Sequence, residues 1–307
     1  MDIVATDFDQ LPTALLAELE AAGLVAAEVY ADVVRAIAED VPTEDVTSAA
    51  TIPATDLGVA DFVTREPGSI AGLAVAELVF RYVVGPEVRI ERPVADGTAV
   101  AARTTVLTVH GPTRSLLIAE RTALNFLCHL SGVATATARW VAALEGTGAR
   151  VRDTRKTIPG WRRLEKYAVR CGGGVNHRGS LSDQALIKDN HVLAAGGVVA
   201  AYRAVQERYA HVEPPLLIQV EVDSLEQLRE LLEIGVTSIL LDNMSPDQLR
   251  EAVRTSAGRA TLEASGGLTL ESAAEVAATG VDYIAVGALT HSAKVYDIGM
   301  DLRPDGA

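Results

Sequence analysis

Glu221, Asp242 and Glu263 follow one another at a constant spacing, since 242 − 221 and 263 − 242 both equal 21 residues. Each sits at or near the end of a short apolar run: LIQVEVD, SILLDN and ATLEAS. The stretches after these runs, SLEQLRELLEIG, PDQLREAVRTSAG and LESAAEVAATG, place apolar residues at three- and four-residue intervals. One strand, one helix and two loops fill such an interval, so the three acids occupy equivalent places in successive βα units. With VRDT and QALIKD before them and YIAVG after, six strands are legible from residue 150 onward. Alternation of this kind predicts parallel strands joined by crossover helices. The acids then lie at strand C-terminal ends, where barrels and doubly wound sheets alike build their sites. Periodicity alone does not choose between the two, and six strands fall short of the eight of a full barrel.

The first half of the chain has a different texture. Residues 13–39 are rich in helix formers with helical apolar spacing, and Pro42 with the turn-like TEDVTS closes that region. From about residue 56 to 109 the pattern becomes short β-branched runs broken by Pro67-Gly68, Gly85-Pro86 and Asp96-Gly97. VRIERPVADGTAVAARTTVLTV predicts two strands around a turn at Asp96-Gly97. A biotinyl or lipoyl carrier domain also uses a hairpin, but it needs an acceptor lysine, and none precedes Lys156. A chain of 307 residues has room for one large domain or two modest ones.

Charge narrows the partners. The formal net charge of −14 argues against a general nucleic-acid or acidic-membrane surface. No apolar run approaches the ~18–20 residues of a bilayer span. The opening MDIVATDFDQ lacks the basic-then-apolar order of a signal peptide. Two cysteines, Cys128 and Cys171, make neither a disulfide framework nor a metal-binding cysteine cluster, so the cytoplasm is the expected compartment. Against this acidic background, residues 150–191 carry ten Lys or Arg and four Asp or Glu, a local charge of +6 that leaves −20 on the rest. Three of the four lysines, Lys156, Lys166 and Lys188, lie there, interleaved with Pro159-Gly160 and Gly172-Gly173-Gly174. Those breakers disfavour one continuous helix and predict a loop-borne anion site.

Two segments carry a family resemblance: ERTALNFLCHLSGVAT and DTRKTIPGWRRLEKYAVRCGGGVNHRGSLSDQALIKDNH. They closely resemble quinolinate phosphoribosyltransferase, and the likeness continues through VEVDS, LLDNM, EASGGL and VGALTHSA over most of the chain from about residue 40. The resemblance implies an α/β fold, with an N-terminal α/β sandwich domain over 1–132 to which 290–307 returns. An incomplete parallel α/β barrel of fewer than eight strands would occupy 133–289. It also implies transfer of phosphoribosyl from 5-phosphoribosyl-1-pyrophosphate to quinolinate, with loss of carbon dioxide, in NAD biosynthesis. A homodimer, or a hexamer built as a trimer of dimers, with shared active sites is implied too, Arg121 reaching the pocket of a neighbouring chain.

Those substrates explain a cluster of cations, because two carboxylates, a phosphate and a pyrophosphate meet in one pocket. Arginine grips such groups with a fork of donors and lysine as a point charge. By resemblance, Arg121, Arg155, His177 and Arg178 hold quinolinate, and Lys156 and Lys188 stand beside the pyrophosphate and the reacting end of the ring. Glu221 and Asp242 are suited to the ribose hydroxyls, to the positive charge that develops on the sugar, and to Mg²⁺, directly or through water. Glu263 is expected to face away while Ser265 makes the contact. Ser265-Gly266-Gly267 and Gly287-Ala288 follow late strands and would bring backbone N–H groups to the 5-phosphate. Once ribose is attached, the cationic ring nitrogen can accept the electrons released by the departing carboxylate, with Lys156 or Lys188 beside it.

Three alternatives are separable in principle. Nicotinate phosphoribosyltransferase binds a monocarboxylate and needs fewer cations. A Schiff-base aldolase would use Lys188 as nucleophile and trap with borohydride. An inactive metabolite-binding barrel would keep the anion pocket but not the full set of Lys156, Lys188, Glu221 and Asp242.

Overall fold

The structure is a computed structural model that describes residues 3–305. The first two residues of the expected 1–132 domain and the last two of 290–307 lie outside the described residues. The six apolar runs form six strands of one parallel sheet: Arg150–Arg152, Ala185–Ile187, Ile218–Val222, Ser238–Asp242, Thr261–Ser265 and Tyr283–Ala285. From Ala185–Ile187 onward each strand pairs with the next in the chain, and Tyr283–Ala285 then pairs with Arg150–Arg152. The first strand thus joins the last. That cyclic order belongs to a barrel and not to a doubly wound sheet, and at six strands the barrel is incomplete.

Caps start the outer helices where the sequence offers them. Ser224 accepts from Gln227 N at the head of Leu225–Glu233, and Ser245 accepts from Gln248 N at the head of Pro246–Ser256, which carries proline in its first turn. Thr269 does the same for Leu270–Ala277. Their inward faces bury Leu228, Leu231, Leu249, Ala252, Ala273 and Val276, while the strands bury Val220, Ile239, Leu241, Leu262 and Ile284. Each fully buried leucine or isoleucine stabilises the unit by about 1.5–3 kcal/mol before entropy is counted.

The chain divides into two compact units. Within the described residues, one comprises 3–136, 163–173 and 293–305, and the other comprises 137–162 and 174–292. The first unit holds a four-stranded antiparallel sheet in the order Ile298–Pro304, Leu57–Thr64, Thr105–Pro112, Arg89–Glu91. The final strand returns to pair along Leu57–Thr64, Phe62 facing Met300. Helix Leu73–Val84 is almost wholly buried, and Phe80 meets Phe62 edge-on with ring centroids 5.6 Å apart.

Three local expectations change. The 13–39 region is two helices, Thr13–Ala21 and Ala26–Asp40, parted at Gly23, whose φ of +74° suits glycine. TEDVTS does not end helical structure, because Asp45 accepts from Thr47 N and Ser48 N and caps Val46–Thr51. The strands flanking Asp96-Gly97 do not pair with each other: Arg89–Glu91 joins Thr105–Pro112, and Ala99–Val100 joins Gly68–Ser69.

The basic window is not one loop. Its middle forms helix Arg162–Cys171, which from Arg163 onward lies in the first unit although it falls inside the expected 133–289 segment. Glu165 is fully buried there with its carboxylate 2.9 Å from His129 Nε2, Lys166 is 6% exposed, and Arg163 pairs with Glu28. These cations serve packing and surface pairing within the first unit, so the anion site draws on fewer members of the window than its charge suggested.

Candidate active site

The C-terminal ends of the six parallel strands surround a cavity of about 750 Å³ lined wholly by residues of the second unit. The cavity gathers Arg155, Lys156, His177, Arg178, Lys188, Glu221, Asp242, Ser265, Gly266, Gly267, Gly287 and Ala288. Every site residue singled out from the sequence is present except Arg121. Arg121 lies on helix Thr113–Ala143 in the first unit, its side chain 64% exposed and 3.8 Å from Glu120.

Buried Asp153 organises the cationic side. Its carboxylate accepts from the backbone N–H of His177 at 2.7 Å and from Asn176 Nδ2 at 2.6 Å, tying the 176–178 segment to the end of strand Arg150–Arg152. Arg178 is 9% exposed, and its Nη1 donates to the carbonyl of Gln184. Burial, and then the neighbouring charge of Arg155, push the Arg178 guanidinium below its usual value, with Asp183 opposing them. Arg155 Nε is buried with no hydrogen-bond partner. Two guanidiniums that disfavour each other, one with an idle buried donor, make a pair that an anion would satisfy.

Lys156 lies beside Gly287, where a Cβ would come 2.9 Å from Lys156 Cδ and 3.2 Å from His291 Nε2. The φ of Gly287 is −67°, so a side chain here would strain no backbone but would push the Lys156 chain aside. Thr290 Oγ1 donates to the Lys156 carbonyl at 2.7 Å and fixes the same loop from the other side.

The acidic side is built by neighbouring strands. Lys188 Nζ donates to Glu221 Oε2 at 2.8 Å. Burial, then the charge of Glu221, hold the Asp242 carboxyl above the usual range, while Asn243 and Lys188 pull it back. Asn243 Nδ2 donates to Asp242 Oδ2 at 2.6 Å from a left-handed backbone with φ +54°. Gly266 and Gly267 also have positive φ, +96° and +59°. A Cβ at Gly266 would stand 2.2 Å from Asn243 Oδ1, so the glycine loop and the Asp242 carboxylate share one wedge. Glu263 does not face away as expected: it is fully buried yet lines the cavity floor, and it accepts from Arg152 Nη1 at 2.7 Å and Gln219 Nε2 at 2.9 Å.

Four contributors were not singled out beforehand: Thr154, Asn243, Gln219 and His291. Asn243 had a signal in its place directly after a strand-end aspartate. Gln219, 1% exposed on strand Ile218–Val222, looked like one more residue of an apolar run.

The family described as quinolinate phosphoribosyl transferase, N-terminal domain, matches residues 45–131, and the corresponding C-terminal domain matches 133–301. The chain is 53% identical over 262 residues to a nicotinate-nucleotide pyrophosphorylase (carboxylating) of Mycobacterium leprae, covering 84% of this chain and 91% of that protein. A probable enzyme of the same name from Bacillus subtilis is 40% identical, covering 86% and 90% of the two chains. Among solved structures, NadC from Streptococcus pyogenes superposes with a TM-score of 0.86 at 39% identity, covering 92% of this chain and 98% of that one.

Proposed function

The chain belongs to the quinolinate phosphoribosyltransferase family, and from that premise and the chemistry of the cavity we infer that it makes nicotinate mononucleotide. Phosphoribosyl passes from 5-phosphoribosyl-1-pyrophosphate to the ring nitrogen of quinolinate, and pyrophosphate and carbon dioxide leave, a step of de novo NAD biosynthesis. The observation that carries this reading is one cavity that holds Arg155, Lys156 and Arg178 together with Glu221 and Asp242, Lys188 being paired with Glu221.

In our reading Arg155 and Arg178 take the two quinolinate carboxylates, His177 forms the wall beside them, and Arg121 adds a further cation. A charge-assisted hydrogen bond contributes about 1.5–3 kcal/mol, so a few suffice for micromolar affinity once the entropy of binding is subtracted. Lys156 and Lys188 lie toward the pyrophosphate and the reacting end of the ring, where fixed positive charge favours the departing pyrophosphate, while the cationic ring nitrogen takes up the electrons that carbon dioxide leaves behind. Ser265, Gly266, Gly267, Gly287 and Ala288 receive the 5-phosphate on backbone N–H groups. Glu221 and Asp242 hold the ribose hydroxyls and face the positive charge that grows on the sugar.

The same carboxylates fit Mg²⁺. They offer oxygen donors only, and the charge of Glu221 makes charging Asp242 more costly, which a divalent ion would relieve. Among the described residues no group of three or more His, Cys, Asp or Glu could enclose a metal ion, so such an ion would draw its other ligands from substrate and water. Bound there, Mg²⁺ would neutralise charge on the pyrophosphate. We further place the enzyme in the cytoplasm, consistent with free Cys128 and Cys171, as a homodimer or a trimer of dimers with shared sites.

The test is direct. Protein incubated with quinolinate, the ribosyl donor and Mg²⁺ should yield nicotinate mononucleotide by chromatography. Nicotinate should be used at least about 10²-fold less efficiently, equivalent to about 2.7 kcal/mol, because one cationic subsite would be left unpaired. Equal turnover of nicotinate would remove the dicarboxylate assignment.

A further inference from the structure

Below the cationic rim runs a chain of hydrogen bonds that the transfer reading does not use. Arg152 Nη1 and Gln219 Nε2 both donate to Glu263 Oε2, at 2.7 and 2.9 Å. Gln219 Oε1 lies 2.8 Å from His177 Nε2, and the backbone N–H of Arg178 donates to His177 Nδ1 at 2.7 Å. Gln219 and Glu263 are 1% and 0% exposed, so solvent does not compete for these roles.

The two ends of the chain admit one polarity. A carboxylate ion-paired with Arg152 only accepts, and a backbone N–H only donates. Gln219 must therefore turn its NH₂ toward Glu263 and its oxygen toward His177. The imidazole must then carry its proton on Nε2 and a lone pair on Nδ1. A second proton, on Nδ1, would set two donors against each other at 2.7 Å.

Resting on the quinolinate reading of the cavity, we propose that Gln219, backed by Glu263 and Arg152, is a positioning residue that locks His177 as the neutral Nε2–H tautomer. His177 then shapes the quinolinate site without adding a charge that comes and goes with pH. The charged groups that face it are Asp153, which accepts from its backbone N–H, Arg178 beside it, and Glu263 and Arg152 beneath. Arg155, Lys156, Lys188, Glu221 and Asp242 complete the charged lining of the cavity.

Glu263 Oε1 is buried without a hydrogen-bond partner and lies 3.7 Å from His177 Nε2. Removing the Gln219 amide would let the imidazole turn to that oxygen and gain a proton beside it. The variant Gln219→Leu should then carry a titrating His177 in a displaced ring.

Histidine-selective ¹⁵N labelling reads this directly. The chain has six histidines, and His177→Asn identifies the signal of interest. In the native protein the signal should show Nε2–H with bare Nδ1, unchanged from about pH 6 to 8, where an ordinary histidine titrates. In Gln219→Leu it should titrate, KM for quinolinate should rise about tenfold with KM for the ribosyl donor unchanged, and kcat/KM should gain an ionisation that the native enzyme lacks. A doubly protonated or Nδ1–H His177 in the native protein overturns the proposal, as does a Gln219→Leu variant with native signal and native quinolinate KM. The native spectrum requires no turnover, only a folded His177→Asn variant to assign its signal, so its failure is distinct from absent nicotinate mononucleotide, which would count against the transfer reading instead.

Discussion

One methyl group at Gly266 would test how the glycine loop and the acidic side of the cavity depend on each other. The residue has φ +96°, which costs an alanine about 1–2 kcal/mol, and its Cβ would meet Asn243 Oδ1 at 2.2 Å and Asn243 N at 2.9 Å. Asn243 cannot yield freely, because its amide holds Asp242 and its backbone N–H donates to the Ser265 carbonyl at 2.9 Å. Gly258 has a comparable φ of +78° but open space around the missing Cβ. Gly266→Ala should therefore lower kcat/KM for the ribosyl donor at least about tenfold, while Gly258→Ala pays only the backbone strain and keeps native kinetics. Steady-state kinetics of both variants checks this, and equal activity of the two would separate the glycine loop from the chemistry. At this scale the sequence exposed the cations and strand-end acids well, because their residue types are unusual where they stand. Gln219 acts through neighbours that only folding brings beside it, and nothing in its own sequence context marks that role, whereas Asn243 holds the aspartate that directly precedes it.

Helices and strands were legible where a pattern repeats. The parallel strands each bury both faces, so they read as apolar runs, and the amphipathic helices between them read by their spacing. Asp96-Gly97 was misread because its turn chemistry serves a distant element. The Asp96 carboxylate accepts from Gly72 N at 3.0 Å and Leu73 N at 3.1 Å, and so caps helix Leu73–Val84 from 23 and 24 residues away, while Tyr167 Oη donates to it at 2.5 Å. Helix Arg162–Cys171 was hidden by flanking glycines and proline, and its packing partners His129, Asp96 and Glu28 lie far away in sequence. Burial pushes the Asp96 carboxyl above its usual range, with these hydrogen bonds opposing it, so a neutral side chain of the same shape is tolerated better than a missing one. Asp96→Ala should destabilise the protein by about 2–4 kcal/mol, combining a lost cap with an unsatisfied buried hydroxyl, and Asp96→Asn by less than half of that. Urea unfolding of the three proteins measures both values, and a loss below about 0.5 kcal/mol for Asp96→Ala would show that the cap is dispensable.

Charge is distributed over the whole molecule so that an acidic body of net −14 carries a cationic cavity and an exposed Arg121 on a separate unit. Neither unit holds every residue that the transfer reading requires. If Arg121 completes the cavity of a neighbouring chain, as the proposed shared-site assembly demands, two inactive variants should rescue each other. Arg121→Ala and Lys188→Ala each remove one side of every site when alone. Co-expressed in equal amounts and assorting at random, they give mixed dimers in about half of all cases, by the two-fold symmetry of such an assembly. Each mixed dimer has one site lacking both residues and one site with both intact, so about a quarter of native activity should return, since ½ × ½ = ¼. If Arg121 serves the cavity of its own chain, every site in the mixture lacks one residue and nothing returns. Differently tagged variants purified through both tags isolate the mixed dimers, in which the expected activity is about half of native per dimer. Inactive mixed dimers would exclude the shared site and leave Arg121 to its own subunit.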